Sequence, residues 1–314
     1  MKGIELSERF YLEYGVPMLH ERFPELEGKI AVGLVGGGSE CFGYDDGIST
    51  DHDFEPAFCI FLPSEEIVDR RGAFELQRAY AQLPREFMGF GRCTLAAVGG
   101  DRHGVMRTAE FYEGRTGTPD GEMTLREWLT VPEYALIEAV NGEVFYDGYG
   151  EFTRIRERLS RYPADVRLKK IAGNLLLMGQ SGQYNSQRCI SRGESGAAQL
   201  AIGEFVKSAM NVLFLLENKY MPYYKWSFRA LREISLLHEA LARELEILLS
   251  SGNGEREVKE KTERIERVCR AVARELKEQG IIPTDSPEME SQAYAVNNAI
   301  KDNNIRNMHV LSAV

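Results

Sequence analysis

Apolar residues recur at helical spacing between Glu5 and Phe23 and predict an opening helix. The run Ile30-Ala31-Val32-Gly33-Leu34-Val35 that follows is short, rich in β-branched side chains and closed by Gly36-Gly37-Gly38, which reads as a buried strand ending in a glycine turn. An acidic, glycine-containing loop leads to a second strand predicted over 53–62 (DFEPAFCIFL). Ser64-Glu65-Glu66 then caps a helical stretch reaching about Leu83. Further strand-like segments cover 92–98 and 104–108. Strands alternating with helices make this half α/β or α+β.

Beyond about Gly150 the pattern becomes helical, with few strand signals. A helix is predicted over roughly 227–249, a turn at Ser251-Gly252-Asn253-Gly254, and a second helix over 255–279. In the latter, Val258, Ile265, Val268, Val272 and Leu276 form an apolar stripe, while eight basic and seven acidic side chains fill the remaining faces. Two signs that nearly cancel describe a solvated face rather than a nucleic-acid contact. A boundary is therefore expected near residue 150, after Asp147-Gly148-Tyr149-Gly150, giving domains 1–150 and 151–314.

Length and charge narrow the functional classes. The 314 residues suffice for two ordinary domains with their own cores. A net charge of −10, from 38 basic and 48 acidic residues, argues against binding nucleic acid through bulk electrostatics, because phosphate neutralisation needs clustered Lys and Arg. A local basic pocket is still compatible with it. No uninterrupted run reaches the roughly 18 apolar residues of a membrane span, and 1–10 lacks a basic stretch followed by an apolar core, so the expectation is a cytoplasmic protein with no membrane partner. The five cysteines, Cys41, Cys59, Cys93, Cys189 and Cys269, are dispersed without a CxxC pair and read as reduced thiols.

The candidate chemistry lies in Gly36-Gly37-Gly38-Ser39, followed after eleven residues by Asp51-His52-Asp53. Side chains two apart on a strand share a face, so both carboxylates would project together and His52 away from them. Two such oxygens beside a glycine turn suit a hard cation, Mg²⁺ or Mn²⁺, whose remaining ligands are water and phosphate. The turn's N–H groups and the Ser39 hydroxyl are free to approach phosphate oxygens. It is not a Walker loop, since no Lys-Ser or Lys-Thr follows the glycines. Arg188 and Arg192, four apart, share a helical face and suit a triphosphate or an acidic acceptor, with pairing to Glu194 as the structural alternative. In Lys219-Tyr-Met-Pro-Tyr-Tyr-Lys225-Trp226, Pro222 is expected to break the preceding helix while Lys225 reaches a phosphate or stays an exposed lysine.

The order strand, glycines with serine, loop, DxD and apolar strand resembles the nucleotidyltransferase superfamily that shares the DNA polymerase β palm, at Gly38, Ser39, Asp51 and Asp53. The segments Arg188 to Glu194, Lys219 to Trp226 and Asn303-Asn304-Ile305-Arg306-Asn307-Met308-His309 resemble an uncharacterised bacterial and archaeal family. There, a minimal nucleotidyltransferase domain precedes a helical domain, a layout similar to kanamycin nucleotidyltransferase. The resemblance implies an α+β protein with an N-terminal palm, a mixed sheet with flanking helices, followed by an all-α bundle. It also implies transfer of a nucleoside monophosphate from a nucleoside triphosphate to a hydroxyl of an unidentified acceptor, small molecule or protein. A tRNA end is the one nucleic-acid acceptor kept open.

Members of that superfamily often carry a third carboxylate on a neighbouring strand, and the run 104–108 contains none. Glu110 is the first candidate, with His103 and Asp101 as alternatives. The incomplete acid set leaves a second reading, a non-catalytic nucleotide-binding or toxin–antitoxin-type regulatory module. A third is drawn from Arg232 and His238, whose R-x5-H spacing is similar to the RNA-cleaving motif of HEPN domains.

Overall fold

The computed structural model describes residues 1–48, 54–92 and 103–314. Contacts gather the chain into two compact units, Met1–Met123 with Ala135–Ser160, and Thr124–Tyr134 with Arg161–Val314. The chain passes between them three times.

The first unit opens with α1 (Gly3–Phe10), a π-helical turn (Tyr11–Gly15) and α2 (Val16–Arg22). This is the predicted opening helix with a distortion, and Pro17, which has no N–H to donate to the preceding turn, sits in its second half. β1 (Ala31–Leu34) follows, then β2 (Cys59–Leu62), which is shorter than the predicted 53–62. Residues 57 and 58 are held mainly by side chains, with one cross-strand bond in which the Gly104 N–H donates to Phe58 O at 3.1 Å. The Ser7 hydroxyl donates to Ala57 O, the Phe58 N–H donates to the Tyr80 hydroxyl at 3.1 Å, and that hydroxyl donates to Phe58 O at 2.8 Å.

α3 (Arg70–Ala81) begins at Asp69, whose carboxylate accepts the Gly72 N–H at 2.8 Å; Ser64 makes only a preceding turn. The pair β3 (Glu86–Phe87) and β4 (Phe90–Gly91) forms a hairpin around Met88 and Gly89, both at positive φ. Of the strand expected at 92–98, residues 93–98 lie outside the described residues. β5 (Gly104–Arg107) leads into α4 (Thr108–Thr116). After α5 (Leu125–Thr130), which belongs to the second unit, come α6 (Glu133–Val140), β6 (Glu143–Asp147) and α7 (Glu151–Leu159).

The fold is α+β, mostly helical with one small mixed sheet. Among the described residues the main sheet has the order β5-β2-β1-β6. β1 runs antiparallel to β2 (Gly33 opposite Cys59) and to β6 (Leu34 opposite Glu143), while β2 is parallel to β5 (Cys59 beside Gly104). Val32, Ile60 and Leu62 share a core cluster with Leu6, Phe10, Phe58 and Leu76 from α1, the entry to β2, and α3. On the opposite face from Ile60 and Leu62, Phe61 meets Phe111 of α4 edge-on (centroids 5.1 Å apart) and the tilted Phe152 ring of α7 (4.2 Å).

The second unit is helical. α8 (Ala164–Met178) continues through a π-helical turn (Gly179–Asn185) into α9 (Ser186–Ser191) and packs against α10 (Ser195–Leu216) and α14 (Met289–Asn298). α11 (Tyr224–Arg232), α12 (Leu236–Ser250), α13 (Glu255–Glu278) and α15 (Asn303–Arg306) complete it, with a final 3₁₀ turn at Val310–Ala313. α13 coincides with its predicted stripe, and Ile265, Val268, Val272 and Leu276 are buried. The helix expected over 227–249 is two helices, because Ser235 caps α12 and interrupts the path. α10 stops at Asn218, not Pro222. Asn218 takes a positive φ, and the Lys219 and Asn218 N–H groups return to Phe214 O and Leu215 O in the hydrogen-bond pattern of a Schellman cap.

α10 is, among the described residues, the helix long and apolar enough to cross a membrane, which amends the expectation that no segment qualifies; most of it is buried within the unit. Two adjacent lysines of α8 are also buried. Lys169 donates to Asn297 Oδ1 (2.8 Å), Met308 O (2.6 Å) and Arg306 O (3.4 Å), and Lys170 pairs with Glu133 at 3.0 Å.

Candidate functional site

The strand directions bring four chain ends to one edge of the sheet. The C-terminal end of β1 and the N-terminal ends of β2, β5 and β6 meet there, as the pairs Gly33–Cys59, Cys59–Gly104 and Leu34–Glu143 require. At this edge the chain leaves β1 through Gly36-Gly37-Gly38-Ser39. Gly36 and Gly38 have φ of 107° and 116°, a region that side-chain-bearing residues avoid. A Cβ on Gly38 would lie 2.2 Å from Glu40 Oε1, and one on Gly36 would lie 2.8 Å from Arg115 Nη2. The glycines are thus required by conformation and by the close approach of a carboxylate and a guanidinium.

Asp51 and Asp53, the expected cation ligands, lie outside the described residues, as do His52 and Asp101. Among the described residues no three His, Cys, Asp or Glu side chains come together in a way that would hold a metal.

The third acid expected at Glu110 is placed elsewhere. Glu110 follows the C-terminal end of β5, the far end from the glycine turn, and accepts the Arg107 N–H at 3.5 Å as a cap of α4. Its exposed carboxylate closes a helix terminus and is not brought to the turn. Sequence reasoning missed two acids that are nearer. Glu40 is buried against Gly38, and Glu55 meets His103 Nδ1 at 2.8 Å with both side chains largely buried, just before β2 and β5 begin. Both Glu residues stand in loops, where periodicity carries no information.

Arg188, Arg192 and Lys225 belong to the helical unit. Arg188 is exposed, lies over the Tyr184 ring with its carbon 4.5 Å from the centroid, and donates to the Tyr184 hydroxyl rather than to Glu194. Arg192, also exposed, caps the C-terminus of α9 just before Gly193 at positive φ. Lys225 sits 5.1 Å from the Trp226 ring centre. Arg232 and His238 do not form a joint site. Arg232 pairs with Glu246, whereas His238 is buried and bound to the Ser235 hydroxyl at 2.7 Å.

Burial pushes the His238 pKa below its ordinary value, with Glu217 at 3.5 Å pulling the other way. The unfolded chain therefore takes up a proton that the folded chain resists. Stability is complete above the ordinary pKa of 6.5 and is lost as pH falls from there towards the depressed folded value. Urea unfolding of His238→Asn is expected to show a flatter decline than wild type between about pH 7 and pH 5. Parallel declines would refute the assignment.

Comparison with known proteins adds one match. Residues 128–227, less than half of the chain, match a family described as a domain of unknown function, DUF4037. That span contains Arg188, Arg192 and Lys225 and excludes the glycine turn. No curated protein and no solved structure matches the chain significantly.

Proposed function

We propose that this chain is a Mg²⁺-dependent nucleotidyltransferase, an N-terminal palm joined to a helical bundle, moving a nucleoside monophosphate to a hydroxyl of a small molecule or protein. The observation that carries the reading is the convergence at one sheet edge of the glycine–serine turn, the entry to β2 that follows Asp53, and the His103–Glu55 pair. Ser39 and the N–H groups of the turn beyond Gly36 seat the leaving phosphates, and Asp51 and Asp53 hold the cation. When bound, that cation neutralises charge on the triphosphate as pyrophosphate departs.

His103 takes the role left open by the acid-free β5. With Nδ1–H directed at the Glu55 carboxylate, Nε2 accepts the proton of the acceptor hydroxyl, the logic of a base oriented by an acid. The acidic chain argues against a polynucleotide acceptor, with a tRNA end as the exception.

Incubation with acceptor pools should move label from α-labelled but not γ-labelled triphosphate, and only with Mg²⁺ or Mn²⁺. Nucleotide binding without transfer across those pools would favour a regulatory module instead. His103→Ala is expected to lower kcat by about a hundredfold or more and leave the triphosphate KM within about twofold. An unchanged kcat would remove His103 from the reaction.

A further inference from the structure

Two donors at the glycine turn lack an acceptor among the described residues. Arg115 Nε and Asn141 Nδ2 are both buried without a hydrogen-bond partner there, and both side chains approach Gly36. Asn141 Oδ1 accepts the Gly36 N–H at 3.0 Å, and Arg115 Nη2 lies 2.8 Å from where a Cβ on Gly36 would be. Native structures seldom leave such groups unmatched, since a buried unpaired donor forfeits its hydration without compensation.

The charge is unmatched as well. Arg115 donates to Phe111 O at 3.0 Å and lies 3.8 Å from the Phe111 ring centre, but it makes no ion pair among the described residues. Glu138 is near enough to favour its charge without being in ion-pair contact, and burial works against that charge. Other charged groups near this turn, among the described residues, include Glu40 at Gly38, Arg156 of α7 and Glu143 at the start of β6.

Both donors are held from behind. α4 runs back from the far end of β5 and so returns Arg115 to the edge where the turn lies. Arg156 donates to Val140 O at 3.1 Å and to Gly142 O at 2.7 Å, the two carbonyls that bracket Asn141. This clamp fixes Asn141 in a loop that would otherwise be free to turn.

We infer that Arg115 and Asn141 form an anion subsite behind Gly36, one that takes phosphate oxygens of a triphosphate. The assignment of those oxygens to a nucleotide rests on the transferase reading above; the anion subsite itself does not. The guanidinium supplies the countercharge and the amide a directed donor, while small movements of the turn admit the oxygens to atoms it now covers. Arg156 is the positioning residue.

The test is calorimetric titration of the full chain with inorganic tripolyphosphate in EDTA. Asn141→Asp keeps the oxygen that accepts from Gly36 and replaces the free donor with an anionic acceptor, so it should preserve the fold and weaken binding at least tenfold. Arg115→Gln should weaken binding comparably while leaving the unliganded Tm equal to or above wild type, because an unpaired buried charge is removed. Arg256→Gln, a change in an exposed pair with Glu260, should bind as wild type does.

Affinities of Asn141→Asp and Arg115→Gln within twofold of wild type would overturn the subsite. So would loss of binding in Arg256→Gln alone, or a wild-type chain that binds no tripolyphosphate. The two readings fail separately. Arg115-dependent binding with no α-label transfer removes the transferase, whereas transfer with an unchanged triphosphate KM in both variants removes the subsite.

Discussion

Asp53→Asn is expected to lower Mg²⁺-dependent transfer at least a thousandfold, about 4 kcal/mol of barrier, with Tm unchanged. The substitution keeps the shape of the side chain and removes one of two negative charges that would bind the cation. Phosphoryl transfer draws most of its rate from positioning and charge neutralisation, so loss of that charge falls directly on the chemical step. The fold should not notice. The entry to β2 is anchored by Ser7 and Tyr80 on the backbone of residues 57 and 58, and these bonds do not involve the carboxylate. Label-transfer rates and a melting curve on the same preparation decide the matter, and transfer within tenfold of wild type by a folded variant would count against the transferase.

The second large effect is on stability. Lys169→Met should destabilise the helical unit by about 3 kcal/mol, the scale on which buried polar partners are orphaned. The ammonium lies on α8 and serves Asn297 Oδ1, Arg306 O and Met308 O, acceptors drawn from α14, from α15 and from the segment just after it. Met fills much of the same space but donates nothing, so the buried oxygens around Lys169 lose a donor. Relief from holding a desolvated cation, whose pKa burial already depresses, offsets part of the loss. The C-terminal residues from about 299 onward should become the first point of proteolysis, with a lower Tm. A variant with wild-type Tm and wild-type cleavage would show that Lys169 only fills volume.

These expectations divide according to what a linear pattern can encode. Periodicity in 255–279 located α13 closely, because an amphipathic stripe repeats within one element and needs no distant partner. The runs 30–35 and 104–108 likewise marked β1 and β5. The glycine turn announced itself, since positive φ at Gly36 and Gly38 is a local requirement.

Elements set by remote contacts were harder to read. The start of β2 at Cys59 depends on Ser7 and Tyr80, residues far away in sequence, and β6 gave no sign of pairing with β1. Short turns such as Met88-Gly89, and the caps at Asp69, Ser235 and Asn218, hinge on single residues whose type is common in loops generally.

The sequence by itself determined an α+β chain, an acidic surface charge, a glycine–serine turn after a buried strand and a pair of aspartates before the next. Tertiary structure alone decided which other groups share that edge. It removed Glu110 to the opposite end of β5 and brought His103 to Glu55, because a parallel neighbour of β2 must begin where β2 begins. It also returned Arg115 and Asn141 to Gly36, 79 and 105 positions along the chain. Spacing carries information about neighbours on one helix or strand; the direction in which strands pair is settled only when the core closes, and that direction chooses the company a site keeps.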